Sequence, residues 1–169
     1  MKAFSALPLI LFLMALGACK KPVLEVREKS IPPLILSTSI HDSLPLTAVN
    51  ALQLSDVVGI KIKHHTGLYS NYFEYRADRD LLLETLSELP FVMQGTVADT
   101  QCHPISFEEM ARIQEDLTTI EIENTSFFWT ADASSIDVFE CIKPPFRHTI
   151  LVTKNSNRIL HRIEFLGYS

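Results

Sequence analysis

The stretch "VVGIKIKHHTGLYSNYFEYR", Val57 to Arg76, decides the fold class. In its first half Val58, Ile60 and Ile62 alternate with Lys61 and Lys63, the period of two that belongs to a strand with one wet face. Thr66 and Gly67 supply a turn, and the second half continues the alternation. Tyr69, Phe73 and Tyr75 fall on one side and Ser70, Glu74 and Arg76 on the other, so the stretch reads as a β-hairpin.

Downstream the period changes to that of a helix. In "DRDLLLETLSEL", Asp78 is placed to cap, Leu82, Leu86 and Leu89 recur on one face, and Pro90 stops the run. In "ISFEEMARIQEDL", Ser106 and Glu109 have capping-box spacing, Ile105 can staple onto Met110, and Met110, Ile113 and Leu117 form an apolar stripe. The last third returns to strands. "TSFFWTA" is a short aromatic run, "SIDVFECI" alternates, "KPPF" turns, and "HTILVTKNSNRILHRIEF" reads as a hairpin bent at Asn155 to Asn157. Strands, two helices and then four strands predict an α+β domain: a mainly antiparallel sheet with the two helices packed on one face.

Upstream of the hairpin the chain is of another kind. Lys2 precedes an apolar segment from Ala3 to Leu16, followed by the small residues Gly17 and Ala18, which is the order of a secretion signal. The apolar segment is shorter than the roughly 18 to 20 residues that a membrane-crossing helix needs. "LGAC", Leu16 to Cys19, resembles the lipobox of bacterial lipoproteins. The resemblance implies cleavage before Cys19, acyl chains of the palmitate kind on Cys19, and a mature protein held on the bilayer through that lipid anchor. Because several acyl chains hold a protein stably where one does not, the anchor would be permanent. Lys20 stands where an aspartate tends to retain a lipoprotein at the inner membrane. The resemblance therefore implies the outer membrane, on its periplasmic side.

This divides the chain into a signal peptide over residues 1–18, a lipidated N-terminus and extended tether over 19–45, and a single globular domain over 46–169. The tether holds four prolines, Pro22, Pro32, Pro33 and Pro45, and has room to lay a strand on the domain around "LILSTSI". The whole chain carries 15 basic and 20 acidic residues, a formal charge of −5, and loss of Lys2 with the leader makes it more acidic still. Nucleic acid is therefore not an expected partner.

Once Cys19 is lipidated, Cys102 and Cys141 remain. An exported chain lies in an oxidising compartment, so these two are expected to form a disulfide. The competing reading, a thiolate metal site or a reactive cysteine, lacks the C-x-x-C spacing usual for such sites.

Motifs for chemistry are sparse. Gly59, Gly67, Gly95 and Gly167 are isolated, so no glycine-rich loop cradles a phosphate, and G-x-S-x-G, S-x-x-K and H-E-x-x-H do not occur. No cofactor or metal is expected, and no catalytic residue is assigned. The histidines keep an enzyme or metal reading open. His64 and His65, adjacent on a strand, would point to opposite faces, whereas His103 has room to meet His148 or His161. Phe127, Phe128 and Trp129, taken as strand residues, leave at least one aromatic ring facing away from the core and are the candidate partner-binding residues. The chain is read as a non-enzymatic, lipid-anchored binding module with an envelope or secreted protein as partner. Immunity or inhibitor proteins and accessory subunits of envelope complexes have this format.

Overall fold

The computed structural model describes residues 32–88, 102–130, 132 and 134–167. The leader, Cys19 and the first part of the tether lie outside them. Among these residues seven strands form one antiparallel sheet: β1 (Leu34–Ser39), β2 (Val58–Lys63), β3 (Tyr69–Arg76), β4 (His103–Pro104), β5 (Ile136–Lys143), β6 (Phe146–Thr153) and β7 (Arg158–Phe165). Their spatial order is β1-β2-β3-β7-β6-β5-β4. The hairpin read from the sequence is there: β2 and β3 pair antiparallel, with Ile62 opposite Ser70. Gly67, at a φ of 89°, makes the turn in a conformation that side chains with a Cβ rarely adopt.

Among the described residues five α-helices accompany the sheet: α1 (Leu46–Ala51), α2 (Arg79–Glu88), α3 (Phe107–Glu115), α4 (Thr119–Asn124) and α5 (Ser126–Trp129). The predicted caps hold. The Asp78 carboxylate accepts from the Leu81 N–H at 2.9 Å at the start of α2, and Ser106 and Glu109 complete a capping box on α3.

The two long helices do not share a face of the sheet. Leu82 and Leu86 of α2 join Val49 of α1 in a core with Phe73, Tyr75, Ile150 and Ile163. Met110 of α3 and Phe128 of α5 join a second core with Ile62, Tyr72, Leu151 and Leu160. Phe73 and Tyr72 are neighbours on one strand, so the two cores lie on opposite faces, and the expectation of both helices on one face is corrected. The reason is visible in β6, where Ile150, Leu151 and Val152 are all buried. A strand apolar on both sides needs cover on both sides. We call the α1–α2 side face A and the α3–α5 side face B.

The aromatic run was expected to be a strand and is the short helix α5. The Trp129 indole N–H donates to the Thr125 hydroxyl at 2.9 Å, which itself donates to the Glu121 carbonyl at 2.6 Å. These bonds tie α5 to α4 and turn the aromatic rings into the core. Three long strands, not four, follow α3. The compact unit runs from Ile31 to Ser169 and takes in β1, placed in the tether by sequence. Cys102 and Cys141 form the disulfide, which fixes the chain entering β4 to β5. No helix among the described residues is long and apolar enough to cross a membrane.

Candidate functional site

Face B carries a row of charged side chains that the strand register assembles. Tyr72 of β3 lies opposite Arg162 of β7, and Ser70 opposite Glu164. On the other side of β7, Arg147 of β6 lies opposite Glu164, and Thr149 opposite Arg162. Each is an even step from the others along its strand, so all project to the same side. Helix α4 lowers Glu121 onto this row.

Arg162 is the centre. Its side chain is 2% exposed, yet every part of the guanidinium has a partner. Nε donates to the Tyr72 hydroxyl at 2.9 Å, one terminal nitrogen to Glu164 at 2.9 Å, and the other to the Ser70 hydroxyl at 3.1 Å. The Tyr72 hydroxyl donates in turn to Glu121 Oε1 at 2.6 Å, and Glu121 is also 2% exposed. Burial works against the charged guanidinium, but the surrounding Tyr72, Glu164 and Glu121 outweigh it and hold its pKa above the ordinary value. Burial, reinforced by Glu121 and opposed by Arg162, pushes the Tyr72 phenol far above its usual range. The phenol therefore remains protonated and donates to the carboxylate. It is not a base.

Around this centre lies a recess of about 310 Å³, lined by the β2–β3 turn, the ends of β3, β6 and β7, and the α3–α4 junction. His64 Nε2 approaches Glu121 Oε2 at 3.5 Å, and Arg147 lies between Glu164 at 3.6 Å and Glu140 at 3.4 Å. Glu121, Arg162, Glu164, Arg147 and Glu140 alternate in sign along the wall. Such a wall can orient a polar partner through charge and hydrogen bonds.

The histidines are distributed differently from what the sequence led us to expect. His64 and His65 lie past the end of β2, in the turn, and both line the recess. His103 is exposed and faces Glu140 on face B at 3.9 Å. His148 and His161 do meet, within face A and fully away from His103: His148 Nδ1 lies 2.9 Å from His161 Nε2, and His161 Nδ1 lies 2.7 Å from the Tyr75 hydroxyl. Burial and the nearby Lys143 drive the His148 pKa down to about 4, and burial together with His148 takes His161 well below its ordinary value. Both rings are neutral at pH 7. No group of three or more histidine, cysteine or acidic side chains among the described residues could hold a metal ion.

Of the other predicted site residues, Cys19 lies outside the described residues and Cys102 and Cys141 are joined. Phe128 and Trp129 are buried with their rings edge-on to Tyr72, and Phe127 is partly exposed. Sequence reading missed Arg162, Arg147, Glu121 and Tyr72. The only local signal was a charged residue interrupting each of two apolar strands, "RHTILV" and "RILHRIEF".

No protein-family model, curated protein or solved structure matches the chain.

Proposed function

We propose that this chain is a lipid-anchored lipoprotein of the bacterial cell envelope, held at the outer membrane with its domain on the periplasmic side. The domain acts as a non-enzymatic binding module, either an immunity or inhibitor protein or an accessory subunit of an envelope complex. The leader "LGAC" with Cys19 supports the anchor, and the disulfide fits an oxidising compartment. The observation that carries the binding reading is the recess on face B. Its buried charges pair with one another in a fixed array, which offers geometry for recognising a polar partner. Phe127, partly exposed beside the apolar groove of Ile35, Ile60 and Tyr72, adds an aromatic contact; Phe128 and Trp129 support it from within.

The alternative is an envelope enzyme or metal-binding protein built on histidines, and the contact between His148 and His161 is the observation in its favour. Its difficulty is chemical. Both nitrogens of His161 are engaged, one with Tyr75 and one with His148, so neither has a lone pair directed at a ligand.

The test is affinity capture from solubilised envelope and secreted proteins with the oxidised full-length chain, alongside a Glu121→Gln variant and a Ser70→Trp variant that fills the recess. The reading expects one stoichiometric protein partner, retained by the wild type and lost when the recess is filled. A turnover activity abolished by changing His148 or His161 would overturn it in favour of the alternative.

A further inference from the structure

The two edges of the sheet are finished differently. At one edge β4 is two residues long and includes Pro104, which has no N–H to offer a further strand. At the other lies β1, "LILSTS", six residues without a charge. Residues 34–37 are all exposed, and the first three are large and apolar: Leu34 is 57% exposed, Ile35 40% and Leu36 42%.

The ladder determines which backbone groups this edge offers. The Ile40 N–H donates to the Val57 carbonyl at 3.1 Å, continuing the register that sets Ser39 opposite Val58. Hydrogen-bonded pairs recur at every second residue of an antiparallel ladder, so Leu34, Leu36 and Thr38 turn their N–H and C=O groups to β2. The far side of β2 has the matching parity. There the His64 N–H donates to the Leu68 carbonyl, so Ile60 and Ile62 bond β3 and leave Gly59, Lys61 and Lys63 for β1. Ile35, Ser37 and Ser39 therefore turn their backbone groups outward. The Ser39 N–H is already taken by the Asp42 carboxylate at 3.3 Å, and Pro33, the next outward position before the strand, has no N–H. Between these two stops the N–H and C=O groups of Ile35 and Ser37 meet no backbone or side-chain partner among the described residues.

We infer that β1 pairs antiparallel with β1 of a second copy of this chain, joining two sheets into one across a two-fold axis at Leu36. The edge is complementary to itself in one register. With Ile35 opposite the second copy's Ser37, all the open N–H groups meet open carbonyls, and Pro33, which has no donor, falls opposite the Ser39 whose donor is in use. A shift of two residues sets Pro33 against Ser37 or Ser39 against Ile35, and each strands a carbonyl that has no N–H to receive. That match of the two stops selects a second copy as the occupant. On face A the register brings Leu36 against its own counterpart and Leu34 against Thr38, so no like charges meet at the seam although the chain carries −5 overall. β1 contributes no residue to the face B recess, and each copy keeps its own.

The experiment oxidises full-length chains in the cells that make them with copper phenanthroline and reads the linkages from peptides, so that the native cysteines are told apart. Leu36 would form a non-hydrogen-bonded pair with its counterpart, with Cα atoms about 4.5 Å apart and within reach of a disulfide, so Leu36→Cys should link 36 to 36. Co-expressed Ile35→Cys and Ser37→Cys chains should link 35 to 37. Neither should link to itself, because diagonal positions lie about 7–8 Å apart. Ser37→Pro gives a readout without thiols: it removes an outward donor and none that β2 uses, which an edge strand tolerates. In sedimentation of the detergent-solubilised protein the wild type is expected as a dimer. Ser37→Pro is expected to weaken the dimer about tenfold or more, since two of its four bonds are lost, with the circular dichroism unchanged. A wild type that stays monomeric at every concentration, or Leu36→Cys chains that do not link, would overturn the proposal. Linkage of 35 to 35 would overturn the register, and with it the case for a second copy. A Leu36→Cys adduct with a different protein would assign the edge to a foreign strand instead.

Discussion

Replacing Arg162 by methionine should be the most damaging single change on face B. Methionine keeps most of the length and fills the same space, so the effect isolates the charge. Without it Glu121, 2% exposed, keeps its hydrogen bond from Tyr72 but loses the nearby cation, Glu164 loses its 2.9 Å partner, and the Tyr72 and Ser70 hydroxyls each lose a donor. Breaking a buried ion pair by removing one member costs about 3–5 kcal/mol, because the remaining charge is left in a poorly solvating site. A domain of this size is stable by about 5–15 kcal/mol in total. With a urea dependence of about 1–3 kcal/mol/M, the midpoint of urea unfolding should fall by about 2 M, with the disulfide kept intact. Pairing the change with Glu121→Gln should recover part of the loss, since the carboxylate stranded by the first change is then neutral. Two groups in one network couple by about 0.5–3 kcal/mol in such a cycle. If Arg162→Met shifts the midpoint by less than about 0.5 M, or if the two losses simply add, the network does not hold α4 to the sheet and the reasoning is wrong.

Three further outcomes are expected. His148 and His161 are held neutral in the core while the unfolded chain protonates its histidines below about pH 6.5, so stability is full above that pH and falls as the pH drops towards about 4. Urea unfolding at pH 7.5 and pH 5 should differ by about 2 kcal/mol from His148 alone, and a His148→Gln, His161→Gln variant should show a flatter profile. Reducing Cys102–Cys141, which closes a separation of 39 residues, should cost about 4 kcal/mol, read from unfolding with and without reductant; a change under about 1 kcal/mol would contradict it. Gly59→Val should disrupt the β2–β3 pairing, because a Cβ there meets the Tyr72 carbonyl oxygen and the Phe73 ring, and proton exchange of the Ile60 and Tyr72 amides should speed up accordingly.

What was legible in the sequence is what local chemistry determines. The hairpin from Val57 to Arg76 was readable because alternation and a Gly67 turn act within twenty residues, and α3 because Ser106 and Glu109 cap it from three residues apart. The disulfide followed from compartment and arithmetic, not geometry. Helix α5 was misread because "SFFW" is strand-like in composition, and what makes it helical is the Thr125 hydroxyl bonding Glu121 and Trp129 together with the packing of Phe128 on Tyr72. The two-sided core was hidden for a related reason. An apolar run such as "ILV" in β6 does not say which helix covers which side. The face B network was least legible of all, since Tyr72 and Arg162 are 90 residues apart and become partners only through the β3–β7 register.

The intact mass and N-terminal sequence of the mature protein recovered from the membrane fraction decide whether this is an exported domain working from a lipid anchor. A lipid-anchored protein should begin at Cys19 and be heavier than its residues by a diacylglycerol and an amide-linked acyl chain, with both additions lost in a Cys19→Ser variant. A mature chain that starts elsewhere, or that starts at Cys19 and carries only the mass of its residues, would contradict the anchor.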